Sequence, residues 1–105
     1  MDNAEANALL AAHLRGYRAR PYSDLAALVS EPESTEIAGP SGARYQVEVL
    51  AVWDERPHGN LRVIGAIDDG GLRAFVPLSA DFIVAPDGSF VGERGELQQD
   101  SATAI

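Results

Sequence analysis

The sequence predicts an α+β domain in which two N-terminal helices pack on an antiparallel β-meander of four or five strands. Three observations carry this. Residues 4–29 hold the alanine-rich, helix-favouring segments. Residues 44–92 hold runs that alternate apolar with polar side chains. Asp-Gly pairs interrupt those runs where hairpin turns belong. A strongly bent version of the same arrangement is a small β-barrel with N-terminal helices. A chain of 105 residues can build one core but not two, so residues 1–92 read as one domain and 93–105 as a flexible tail.

The first helix is predicted over Ala4–Arg18. Asp2 and Glu5 have capping-box spacing, with Asp in the place of the usual Ser or Thr. Leu10, Leu14 and Tyr17 recur at intervals of four and three, so they share a face, with Leu9 and Ala11 beside it. His13 and Gly16 lie off its centre. Arg15, Arg18 and Arg20 gather where the helix dipole favours cations. Pro21 stops this helix, and Ser23-Asp24 reads as the N-cap of a short second one carrying Leu25, Leu28 and Val29. "SEPESTEIAGPSG", residues 30–42, has one isolated apolar residue among Pro, Gly, Ser and Glu and reads as a loop.

Strands follow. "RYQVEVLAVWD" sets Tyr45, Val47, Val49, Ala51 and Trp53 on one side, yet Leu50 and Val52 on the other side are apolar too. "LRVIGAID" sets Leu61, Val63, Gly65 and Ile67 together. If Asp69-Gly70 is a two-residue type I′ turn, the next strand is "LRAFVPL", with Gly65 opposite Ala74, Val63 opposite Val76 and Leu61 opposite Leu78. "DFIVA" and "SFVG" come last, joined by the tight turn "PDGS" at 86–89.

The composition excludes several chemistries. Without cysteine there are no disulfides, thiolate metal sites or thiol nucleophile. Two histidines alone fall short of the three or four ligands of a zinc site, and Asp68-Asp69-Gly70-Gly71 supplies too few oxygens to hold calcium. No serine sits in a nucleophile elbow. No glycine-rich loop leads into a helix with a lysine, because the chain has no lysine. We therefore expect no cofactor and no metal. A net charge of -8, with no basic stripe, repels nucleic acid and anionic lipid but attracts basic protein. No apolar run approaches the ~20 residues of a membrane span, and no leader pattern opens the chain; a cytoplasmic location is expected.

What remains is surface. The connection "DERPHGN", residues 54–60, is longer than a turn needs and collects Asp54, Glu55, Arg56 and His58 beside Trp53. The second sheet face, with Leu50, Val52, Ile64 and Phe75, is too apolar for a solvated one, so either the chain folds over it, as in a small closed barrel, or a partner covers it. The predicted partner-binding set is therefore Trp53, Asp54, Glu55, Arg56, His58, Ile64 and Phe75, engaging a protein partner or a second copy of the chain. Gly65 opposite Ala74 would leave a shallow trough for Ala8, Ala11 and Ala12 of the first helix. If unfilled, that trough becomes a small-molecule pocket with His13, Tyr45, Gly65 and Ala74 around it. The favoured function is a non-enzymatic acidic interaction module, of the kind that neutralises a basic protein; the alternative is a small-molecule binder or simple enzyme using that pocket.

Overall fold

The computed structural model describes residues 1–71 and 77–93. In chain order they form helix α1 (Asn3–Arg18), helix α2 (Tyr22–Ala26), a 3-10 turn (Ala27–Val29), and strands β1 (Glu33–Ala38), β2 (Arg44–Trp53), β3 (Leu61–Asp68) and β4 (Leu78–Val84). The strands make one antiparallel sheet in the order β1-β2-β3-β4, and it does not close into a barrel. Among the described residues no helix is long and apolar enough to cross a membrane.

Helix α1 starts where its cap predicts. The Asp2 carboxylate accepts from the Glu5 N–H at 3.0 Å. The reciprocal half of the capping box is absent, because the Glu5 carboxylate turns to the sheet instead. It accepts from the Ser41 N–H and hydroxyl at 2.9 and 2.8 Å and from the Tyr45 hydroxyl at 2.6 Å. These bonds, Tyr45's first among them, hold Glu5 below the usual carboxylate range. Leu10, Leu14 and Tyr17 are buried, as their spacing requires, while Ala11 is exposed. The second helix begins one residue before Ser23, on Pro21, with no side-chain cap. Pro21 is extended there, at φ -66° and ψ 157°, and its carbonyl accepts the first bonds of the helix from Asp24 and Leu25 N–H, so the Ser23-Asp24 cap expected from the sequence does not form. Leu25 and Leu28 enter the core and Val29 is exposed.

Two expectations need correction. Residues 30–42 are not all loop: Glu33–Ala38 is β1, paired with β2 from Glu33↔Val49 to Ala38↔Arg44. The turn between them closes with Gly39 N–H to Ala43 O at 2.8 Å and Gly42 N–H to Gly39 O at 2.9 Å. Gly42 is needed there, since its φ of 91° lies in the left-handed region. The second correction concerns register. Leu78 pairs with Ile67 and not Leu61, and β4 continues through Ala80, Phe82 and Val84 opposite Gly65, Val63 and Leu61. Asp68 and Asp69 each cap a backbone N–H two residues on, Gly70 at 2.8 Å and Gly71 at 3.1 Å, in Asx turns. They begin a longer connection, and most of the predicted "LRAFVPL" strand, residues 72–76, lies outside the described residues, as do residues 94–105 of the expected tail. The "PDGS" turn forms as predicted: Gly88 N–H bonds Ala85 O, Ser89 O accepts from Ala85 N–H, and Asp87 caps Ser89. "SFVG" contributes a single bridge, Val84↔Phe90.

The core lies between the helices and the sheet face bearing Tyr45, Val47, Val49, Ala51, Leu61, Val63, Ile67, Phe82 and Val84. Helix α1 packs closely over Gly65. A Cβ there would lie 2.9 Å from Leu14 Cδ2 and 3.0 Å from Leu10 Cδ1, so the leucines of α1 occupy the space a side chain would need. The alanines expected in that trough, Ala8, Ala11 and Ala12, are instead exposed on the far side of the helix. At the C-terminal end of α1, the Arg18 guanidinium stacks 4.7 Å from the Phe82 ring and 5.0 Å from the Phe90 ring, and pairs with Glu93. This fastens the segment after β4 to the helix.

Candidate functional site

The 54–60 connection joins β2 to β3 and is held at several points. Asp54 N–H donates to Asn60 O at 2.8 Å, and Gly59 N–H to Arg56 O at 3.2 Å. From α2, the Tyr22 hydroxyl donates to Gly59 O at 2.6 Å. The His58 ring packs against Trp53, centroids 5.2 Å apart. Glu55 and His58 both have left-handed backbones, at φ 82° and 66°. Side chains other than glycine rarely accept this, at roughly 1 kcal/mol or more each. The loop borders an open cleft of about 210 Å³, lined with Asp54, Glu55, Arg56, His58, Asn60 and, from the "PDGS" turn, Pro86.

From this loop the site continues onto the outer face of the sheet, opposite the helices. Antiparallel pairing aligns that face in rungs: Val52, Arg62 and Ile83 nearest the loop, then Leu50, Ile64 and Asp81, then Glu48, Ala66 and Ser79. Val52 is 43% exposed, and Leu50, Ile64, Ala66 and Ile83 are half-buried. The Arg62 guanidinium bonds the Asp81 carboxylate and lies 3.5 Å from Asp54 Oδ1, so it ties the face to the loop. Asp81 raises the pKa of Arg62 above its already high ordinary value.

Five residues of the predicted partner-binding set, Trp53, Asp54, Glu55, Arg56 and His58, come together at this end of the sheet. Trp53 stands on the core side, half-buried, where it supports His58. Ile64 lies on the outer face one rung beyond Arg62. Phe75 lies outside the described residues. Arg62, Asp81, Val52 and Tyr22 were not in the predicted set. Arg62 was legible as an outward residue by its alternation with Val63, but its contact with Asp81 depends on the β3–β4 register. Tyr22 carried no signal, since its target is a backbone carbonyl 37 residues away.

Gly65 lies beneath Leu10 and Leu14, and the buried Tyr45 spends its hydroxyl on Glu5. His13 is half-buried with its ring tilted against Tyr17, centroids 5.4 Å apart, and its buried Nε2 has no hydrogen-bond partner among the described residues. Ala74 lies outside the described residues. Beside His13, the Tyr17 hydroxyl donates to Glu33 Oε1 at 2.6 Å, and Arg20 pairs with the same carboxylate. Burial, then this bond, pushes the Tyr17 phenol up to about 12, and the bond holds Glu33 low. The hydroxyls of Ser30, Ser41 and Ser89 each bond a nearby acceptor, Ala27 O, Glu5 and Asp87. Among the described residues no group of three or more His, Asp or Glu is placed to hold a metal ion. No protein-family model, curated protein or solved structure matches the chain.

Proposed function

We propose that the protein is a non-enzymatic, cytoplasmic interaction module that binds a basic protein, in the manner of an immunity protein or inhibitor, through the outer sheet face and the 54–60 loop. The observation that carries this is the apolar set Val52, Leu50, Ile64 and Ile83, set around Arg62 and bordered by the carboxylates of Glu48, Asp54 and Asp81, on a face that no described helix covers. A solvated antiparallel face ordinarily carries polar side chains at such positions. The net charge of -8 supplies long-range attraction for a basic partner. The neighbouring loop is tied down before binding, which reduces the ordering cost of association. The alternative, a small-molecule pocket between α1 and the sheet, is disfavoured by Leu10 and Leu14 already filling the space over Gly65.

The test is a photo-crosslinking residue at position 52, with one at exposed Ala11 as control, in the cell that makes the protein. A discrete adduct with a basic protein at position 52, absent at position 11, is the expected result. A homodimer adduct, or equal labelling at both positions, would overturn the reading.

A further inference from the structure

Resting on that reading, the geometry points to what the partner brings to the centre of the interface. Arg62 stands between Val52 and Ile83 on the rung next to the loop. It uses one oxygen of each neighbouring acid, Asp81 Oδ2 and Asp54 Oδ1. The second oxygens, Asp81 Oδ1 and Asp54 Oδ2, make no hydrogen bond among the described residues. Both carboxylates are open to solvent, at 45% and 29% side-chain exposure. Two carboxylates around one guanidinium leave the triad one unit negative, in an apolar surround. The other described cation of this face, Arg44, is already paired with Glu36.

We infer that the partner seats one arginine or lysine on the Asp54–Arg62–Asp81 triad, with aliphatic side chains on either side resting on Val52 and Ile64. The stem of such a residue lies along the methyl groups while its head takes the carboxylate oxygens that Arg62 does not use. The two carboxylates then sit between two cations, which offsets the repulsion of the incoming charge by Arg62. An acidic partner would meet a triad that is net negative here.

The test uses a short peptide of alternating Arg and Leu and its Glu/Leu counterpart as probes. Binding is read from amide shifts in the full chain and from calorimetry. With the Arg/Leu peptide, shifts should centre on Val52, Arg62, Ile64 and Asp81. Asp81→Asn, which brings the triad to neutrality, should weaken binding about fivefold, and Asp54→Asn with Asp81→Asn about tenfold or more. Asp24→Asn removes the same unit of charge from exposed α2 and should change affinity less than about twofold. Thermal unfolding confirms each fold; if the double variant unfolds, Asp81→Asn decides alone. Equal losses for Asp24→Asn and Asp81→Asn, equal binding of the Glu/Leu peptide, or no binding at this face would each overturn the inference. A position-52 adduct with a basic protein that persists in the double variant would overturn the triad's role and leave the interaction reading standing.

Discussion

The contact between Gly65 and helix α1 predicts a sign reversal in a double-mutant cycle. Gly65→Ala places a methyl 2.9 and 3.2 Å from the two Cδ atoms of Leu14 and 3.0 Å from Leu10 Cδ1. Carbon atoms prefer about 3.5–4.0 Å, so the leucines must withdraw by roughly 0.5 Å or more. Both are buried, at 1% and 5% exposure, so they have little room to move. Overpacking of this kind costs about 1–3 kcal/mol, and the lower chain entropy of alanine in the unfolded state returns about 0.4–1 kcal/mol. At the middle of both ranges the net loss is about 1.3 kcal/mol. Leu14→Ala alone leaves a cavity and should cost about 2–5 kcal/mol. In that background both Leu14 contacts are gone and Leu10 can shift from its 3.0 Å contact into the vacated space, so Gly65→Ala should become neutral or stabilising. A coupling of about 1–3 kcal/mol follows, readable in urea unfolding followed by Trp53 fluorescence and circular dichroism. If Gly65→Ala costs the same in both backgrounds, α1 does not rest on β3 as described.

Two further outcomes follow from local chemistry. Tyr17 and Tyr45 are both raised to about 12, the first by burial and the second by its bond to Glu5, so alkaline difference absorbance should show two of the three phenols titrating there. Because the native state holds these protons more tightly, their stabilising contribution is complete below about pH 10 and is lost as pH rises toward 12; Tyr17→Phe should remove one step. Glu55→Gly should relieve the left-handed backbone at φ 82° and raise stability by about 0.5–1 kcal/mol, seen as a higher midpoint in thermal unfolding. A fall would mean that the Glu55 side chain contributes more than its backbone costs.

Much of the sheet was legible because burial writes itself as alternation. The inward sets Tyr45 to Trp53 and Leu61 to Ile67 fall where period two places them. The β3–β4 register was not legible. Leu78 was expected opposite Leu61 and lies opposite Ile67, an even displacement of six positions, which keeps every side chain on its own face. Alternation therefore could not detect the error, and the strong Asp69-Gly70 turn signal favoured the shorter loop. Strand β1 escaped notice because an outer strand needs little apolar content: only Ile37 packs against the core. For the site, the sequence marked the charged loop, which is contiguous. Arg62 and Asp81 meet only through pairing across strands, so no local pattern could join them.

The same β1 that was hard to read has a colloidal consequence. Among the described residues it is one of the two edge strands of the sheet, and a bare strand edge offers its backbone groups as a template for stacking copies into fibrils. Here the entry to the strand is Pro32, which has no N–H to give, and Glu33 and Glu36 place carboxylates along it. Arg20 and Arg44 hold these two carboxylates, and every added copy would bring the chain's net charge of -8 to the seam. Proline and charged side chains at an exposed edge are the features that oppose pairing of one sheet with another, so the low apolar content that hid β1 from its sequence pattern is also what makes this edge a poor template.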